Sequence, residues 1–159
     1  MARLTATPEF NVALFALLLN YPWEFFQAPF FKWMPEMPHW EAVLFCTRAT
    51  LGDLLLALIA FWVVAALRRD RAWILTPTLP AVLAFILTGV VVTVGLEWYA
   101  TQIGGRWEYA ESMPLLPLLG TGLLPVAQWT ILPPLLLWLA RRQMAGQAAL
   151  AGAVDCRQN

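Results

Sequence analysis

The side chains best suited to chemistry in this sequence are acids, amides and guanidinium groups that interrupt long apolar stretches. In the first stretch, Asn20, Glu24 and Gln27 are spaced by four and three residues, so a helix would place them on one face. A carboxylic acid held among apolar groups can keep its proton and serve as a general acid. This face is therefore a candidate for acid chemistry in an apolar environment.

Further polar residues interrupt the later apolar stretches and the loop between the last two. They are Arg48, Asp53, Thr93, Glu97, Thr101, Arg106, Glu108, Tyr109, Glu111, Thr121 and Gln128. A charge at membrane depth is costly unless it is paired, so we predict that Glu24, Arg48 and Glu97 form an ion-pair network. The surplus carboxylate would be paired by Arg106 or would carry a proton.

Two interpretations of these residues stay open. In the first, a protonated glutamate in a lipid-accessible pocket protonates an alkene, and aromatic ring faces stabilise the resulting cation. The aromatic candidates are Trp23, Trp98, Trp107 and Trp129. In the second, the ions hold helices together and do no chemistry. Asp53 is on a different helical face from Arg48, so it either pairs with a neighbouring helix or carries a proton.

The elements that must position these residues are predicted to be membrane-spanning helices. The chain has 159 residues, of which 60% are hydrophobic and 13% are charged, and a span needs roughly 20 mainly apolar residues. Four stretches qualify, so we predict an all-α polytopic membrane protein. The first three spans are expected over about 11–31, over 40–67, and from a start between Trp73 and Leu79 to Gly104-Gly105.

The fourth span is interrupted by prolines and glycines, which predicts a kinked or broken helix. We expect an irregular entry from Pro114 to Gly122, then a helix from Leu123 to Ala140 that bends near Pro133. Residues 1–142 would form one transmembrane domain. Residues 143–159 would form a cytoplasmic tail, either a short frayed helix or disordered. Cys46 and Cys156 are expected near opposite membrane faces, which argues against a disulfide between them.

The cations predict an orientation, because Lys and Arg accumulate on the cytoplasmic side of a membrane. With both termini inside, the cytoplasmic cations are Arg3, Arg68, Arg69, Arg71, Arg141, Arg142 and Arg157, which leaves Lys32 and Arg106 outside. We therefore expect a multi-pass protein of a bacterial inner membrane. A net charge of zero without a basic cluster argues against nucleic acid as a partner. His39 with Glu36 and Glu41 matches no closed zinc site, so no metal is predicted.

Several short motifs resemble those of a known protein family. They are Glu97-Trp98, Gly105-Arg106-Trp107-Glu108-Tyr109, Met113-Pro114, Leu119-Gly120, and Pro125 with Trp129. Together they resemble the pattern of small integral-membrane carotenoid-biosynthesis proteins, namely the carotenoid hydratases and the heterodimeric-type lycopene cyclases. The run Pro22-Trp23-Glu24-Phe25-Phe26-Gln27 is similar to the acidic, Phe-rich motif of those cyclases. The whole chain also looks like an uncharacterised group of bacterial four-span membrane proteins.

The carotenoid resemblance implies cofactor-free acid catalysis on a polyene end group. Glu24 or Glu97 would donate the proton, and the other would pair with Arg48 or Arg106. The partner would be a membrane lipid or isoprenoid. Since many such cyclases need a second subunit, a protein partner or a homo-oligomer is also implied. The competing hypothesis is a non-catalytic accessory or assembly subunit of a larger membrane complex, and the lack of an inverted repeat disfavours a transporter.

Overall fold

The computed structural model describes residues 6–117 and 119–158, with residues 151–158 as backbone alone. It contains four helices: α1 (Pro8–Gln27), α2 (His39–Arg68), α3 (Leu79–Trp98) and α4 (Leu123–Gln158). No strand occurs in this part of the chain, and two isolated backbone bridges, Phe31 with Tyr109 and Leu115 with Gly122, are the only extended pairings there. The all-α class is therefore confirmed.

The helix ends follow local chemistry. Thr7 caps α1 by accepting a hydrogen bond from the Phe10 amide at 3.4 Å, and Pro8 opens the helix where its missing N–H costs nothing. Helix α2 ends at Arg69, whose φ of 51° is left-handed. Helix α3 continues as a π-helix over Tyr99–Ile103. The Gly104-Gly105 pair ends it, with Gly105 at φ 52°, as the sequence predicts.

The fourth helix starts at Leu123, as predicted, after an irregular segment in which Gly120 has a φ of 63°. It runs without a break through Pro133 and Pro134, so the prolines do not divide it. The bend near Pro133 stays a prediction. The helix also continues beyond Ala140 to Gln158, so 143–158 is helical. Arg3 and the side chains of Cys156 and Arg157 lie outside the described residues.

Three of the helical segments are long and apolar enough to span a membrane: His39–Arg68, Leu79–Ile103 and Leu123–Leu150. Helix α1 is less apolar, because it carries Asn20, Glu24 and Gln27 as well as Glu9. Those three residues of the predicted polar face are all buried. Helix α1 thus turns its polar face into the bundle and joins the three apolar helices as a fourth.

The helices pack in a ring in which α1 contacts α2 and α4, and α3 contacts α2 and α4. Near one end the core is aromatic: Trp73 stacks on Phe61, contacts Phe85 and donates its indole N–H to the Phe61 carbonyl at 3.3 Å. At this end Arg71 pairs with Glu9, which ties the loop after α2 to the start of α1. We call it the arginine end.

The opposite end is closed by two loops, 28–38 and 104–122, which we call the lid. The Lys32 amide donates to the Glu108 carbonyl at 3.0 Å, and the Ala110 amide donates to the Phe30 carbonyl at 2.9 Å. The Lys32 ammonium also pairs with the Glu108 carboxylate at 2.8 Å and lowers the pKa of that carboxyl. The lid therefore sits over the polar face of α1.

Candidate functional site

The polar residues predicted on separate helices meet in one cluster beneath the lid. Its centre is the Gln128 side chain of α4, which is buried between α1 and α2. The Gln128 Nε2 atom lies 2.8 Å from Asn20 Oδ1, 2.8 Å from Asp53 Oδ2 and 3.1 Å from Glu24 Oε1. Gln27 Nε2 also donates to Glu24 Oε1, at 2.9 Å. One amide thus joins three helices.

The cluster has more hydrogen-bond acceptors than Gln128 can satisfy. Gln128 Nε2 has two hydrogens but faces three acceptors. The carboxyl groups of Glu24 and Asp53 both face this one nitrogen atom, at 3.1 and 2.8 Å. An ionised carboxylate only accepts, so a hydrogen bond between two carboxyl groups needs a proton on one of them. Glu24 and Asp53 are thus placed to share one proton.

Asp53 has its hydrogen-bond partners on a neighbouring helix, α4. In addition to Gln128, the Trp129 indole Nε1 donates to Asp53 Oδ1 at 3.4 Å. Both oxygens of Asp53 therefore face donors on α4. Trp129 is itself buried, so its ring fixes the direction of this N–H.

Glu97 is held separately, by the lid. Its Oε2 atom accepts from Trp107 Nε1 at 3.3 Å and from the Tyr109 hydroxyl in a short hydrogen bond. Burial and the hydrogen bond to Glu97 raise the pKa of Tyr109, so the phenol keeps its proton and donates it. A carboxyl that accepts two hydrogen bonds on one oxygen is placed to act as an anion or a base.

The predicted Glu24–Arg48–Glu97 ion-pair network is not formed. Among the described residues the ion pairs are Lys32 with Glu108 and Arg71 with Glu9, at opposite ends of the bundle. The physical reason is that amide, indole and phenol donors already bind the carboxyl groups of Glu24, Asp53 and Glu97. Arg48 is instead exposed on α2, and Arg106 is exposed in the lid loop.

A cavity of about 410 Å³ connects these groups. It is lined by all three carboxyl groups, by Arg48 and Arg106, and by a larger area of apolar side chains such as Phe31, Phe45, Leu56, Leu96 and Trp107. This volume is within the range of small-molecule sites. Arg48, Gly52 and Leu96 are exposed residues of its wall, so the cavity opens sideways between α2 and α3.

The structure brings together most of the predicted site residues and leaves some apart. Glu24, Gln27, Asp53, Glu97 and Gln128 line the cavity, as do Arg48, Arg106 and Trp107. Asn20, Trp129 and Tyr109 contact these residues. Trp98 is exposed and Trp23 contacts Phe26, so neither lines the cavity. Glu108 is on the outer surface of the lid.

Gly89, which positions the Trp129 ring, was not predicted from the sequence. Gly89 of α3 lies directly against the Trp129 ring, and a Cβ atom there would approach Trp129 Cε3 to 1.7 Å. The sequence did contain a signal, a glycine in the middle of an apolar helix. Such a glycine destabilises the helix by roughly 1 kcal/mol relative to alanine, so it often marks a close packing contact. Gly89 therefore allows the ring to reach Asp53.

We expect G89A to destabilise the bundle by about 1 to 3 kcal/mol, because an extra methyl group overpacks the Trp129 site. Thermal unfolding in mild detergent would measure the loss. G95A is the matched control, since a Cβ atom at Gly95 meets nothing within 4 Å. Equal melting temperatures for the two variants would show that Gly89 is not needed for the close contact.

The arrangement can donate and accept protons in an apolar space. The Glu24–Asp53 pair is placed to donate a proton, and Glu97 lines the same cavity as a candidate base. Comparisons of the chain with protein-family models, curated proteins and solved structures find no match.

Proposed function

We propose that this chain is a four-span protein of a bacterial inner membrane that binds an isoprenoid lipid and protonates one of its double bonds. The observation that carries the proposal is the Glu24–Asp53 pair, which Gln128 brings together in the wall of a largely apolar cavity. The sideways opening favours a substrate that arrives from the bilayer rather than from water. An isoprenoid chain has both the apolar character and the alkenes that such a site requires.

Four features support the membrane topology. The buried polar face of α1 suits a helix enclosed by three apolar ones. Large apolar side chains, among them Leu55, Ile59, Leu87 and Val91, are exposed on the outside of the bundle. Arg68, Arg69 and Arg71 lie at the arginine end, and Arg142 further along α4 covers the Trp138 ring at 5.2 Å. These cations favour a cytoplasmic arginine end, with both termini on that side.

The proposed first step moves the proton of the Glu24–Asp53 pair to one carbon of an alkene. The π electron pair forms the new C–H bond, and the other carbon becomes a carbocation. The pair is left with one additional negative charge, which the Gln128 amide helps to stabilise through its hydrogen bonds. The Trp107 ring and the Glu97 carboxylate in the same cavity stabilise the cation.

The second step returns the cation to a neutral product in one of two ways. A neighbouring C–H bond can lose its proton to Glu97, and its electrons form a new double bond, so the product has the mass of the substrate. Alternatively, a water oxygen bonds to the cation and the released proton goes to Glu97, so the product gains one water. In both cases the proton on Glu97 balances the one that left the Glu24–Asp53 pair.

A first experiment identifies the molecule that is bound to the purified protein and tests whether the protein transfers protons to a polyene. Material extracted from the protein after purification in mild detergent would be identified by mass spectrometry and visible absorption. The protein in liposomes would then be incubated in D₂O with an acyclic polyene. We expect a bound isoprenoid and one deuterium in the product end group. An empty cavity together with no deuterium uptake would overturn the proposal.

A second prediction concerns the side opening. Gly52 lies at its edge, and a Cβ atom there meets nothing within 4 Å, so G52W should narrow the opening without a clash inside the protein. We expect G52W to lose most of the bound isoprenoid in the same extraction assay. G95W is the control, because Gly95 is also exposed and unobstructed but does not line the cavity. Full isoprenoid binding by G52W would exclude this entrance.

A second candidate function is that of a non-catalytic accessory subunit, which one observation favours. Helix α2 carries an exposed apolar groove of about 570 Å³, lined by Leu55, Leu58, Ile59, Trp62, Val63 and Ala66. Such a groove can receive a helix of another subunit or of a second copy of the chain. A stoichiometric partner that remains bound in detergent, with an empty cavity, would favour this function over acid catalysis.

A further inference from the structure

Two arginines in the cavity wall have no function in the proton chemistry described above. Arg48 and Arg106 both line the cavity, and neither guanidinium group forms an ion pair or hydrogen bond with a described residue. Arg48 lies nine residues into α2, about 14 Å from its first residue at 1.5 Å per residue. An arginine at that depth needs an anionic partner or contact with the headgroup region.

The carboxyl groups that line the main cavity, and Glu108 of the lid, already have other partners. Glu97 accepts from Trp107 and Tyr109, and Glu108 pairs with Lys32. The remaining pair, Glu24 and Asp53, is bound by Gln27, Gln128 and Trp129. The two guanidinium groups are consequently left for an anion that comes from outside the protein.

The residues that line the cavity indicate what kind of molecule would carry that anion. Arg106 and Trp107 line the main cavity and also a second, outer cavity of about 450 Å³ formed by the lid. The outer cavity has Lys32 and Glu36 in its wall, whereas the main cavity has its exposed wall residues Gly52 and Leu96 on the apolar helices α2 and α3. A molecule at this junction meets a polar surface on one side and hydrocarbon on the other.

We propose that Arg48 and Arg106 form a subsite for the phosphate of a lipid whose chain leaves the cavity between α2 and α3. Phosphate oxygens match the fork of a guanidinium group, which binds them through paired hydrogen bonds. Two arginines suit the charge of a phosphate monoester or diphosphate. A pure hydrocarbon would leave both cations without a partner.

This inference rests on the proposed function, because it names the substrate class as an isoprenoid phosphate in the same cavity. A glycerophospholipid headgroup would present the same phosphate chemistry, so the experiment must separate the two sources. Four probes do so for the full chain in mild detergent: farnesyl phosphate, farnesol, dioctanoyl phosphatidic acid and inorganic phosphate. Binding would be measured by native mass spectrometry and by isothermal titration.

We expect farnesyl phosphate to bind more tightly than farnesol, and the double variant R48Q/R106Q to remove that difference. The loss should be roughly ten- to a hundredfold in Kd, as for the removal of hydrogen bonds to a charged group. Farnesol binding should not change. K32Q is the control, since Lys32 is paired with Glu108 and lines only the outer cavity. Both arginines are exposed, and an unchanged melting temperature would show that the double variant is folded.

Each outcome decides one question. Equal binding of farnesol and farnesyl phosphate to the wild-type protein would overturn the phosphate subsite and leave the proposed isoprenoid function in place. Binding of neither would count against the proposed function as well. Arginine-dependent binding of phosphatidic acid at least as tight as that of farnesyl phosphate would assign the subsite to glycerophospholipids and overturn the isoprenoid phosphate. Equal binding by R48Q/R106Q and wild type would also overturn the subsite.

Discussion

E24Q and D53N are each expected to lower the rate of deuterium transfer to the polyene by at least about 100-fold, the usual contribution of a positioned general acid. Each variant leaves one carboxyl group in the pair, but an amide in place of the other cannot share an acidic proton with it. The cavity shape should be preserved, because the new amides have nearly the volume of the acids. The measurement is the initial rate of deuterium uptake in liposomes.

Two further variants make this result specific. E108Q changes a glutamate that is on the lid surface and bound to Lys32, and it should react at the wild-type rate. E97Q should still accept hydrogen bonds from Trp107 and Tyr109 but cannot take up the proton, so product release as a neutral alkene or alcohol should slow. If E24Q and D53N transferred deuterium at the wild-type rate, the pair would hold helices together without doing chemistry.

Q128L is expected to cause the largest loss of stability, about 2 to 5 kcal/mol. The leucine would leave Asn20, Asp53 and Glu24 without the donor that faces all three. Buried acceptors that lose their donor pay the full cost of desolvation, and breaking a buried charged contact costs about 3 to 5 kcal/mol. The change should appear as a lower melting temperature in detergent and as faster proteolysis of the bundle.

The matched control is Q102L, because Gln102 is exposed and its Nε2 atom contacts only Thr101, at 3.4 Å. The free energy of unfolding of Q102L should lie within about 0.5 kcal/mol of the wild-type value, as for most surface substitutions. If Q128L were as stable as Q102L, the amide could not be the link between α1, α2 and α4. The acid pair would then have to be oriented by Gln27 and Trp129 alone.

Much of the architecture could be predicted from the order of residues along the chain. The spacing of Asn20, Glu24 and Gln27 placed them on one face, and that face is buried. The Gly104-Gly105 pair marked the end of the third helical segment, and Gly122 the residue before the fourth. These features are local, since helical periodicity and the backbone freedom of glycine do not depend on the rest of the fold.

The partners of each acid were decided by the tertiary structure. Charge alone suggested that Glu24 and Glu97 would bind Arg48, whereas Gln128 binds Glu24 and the lid residues Trp107 and Tyr109 bind Glu97. Periodicity states which face of a helix points inward but not which residue of the next helix lies opposite. That register depends on how far the helices shift and rotate against each other, and here the packing of Trp129 on Gly89 contributes to it. Sequence therefore located the acids along their helices, and only the packed bundle brought Glu24 and Asp53 together at Gln128.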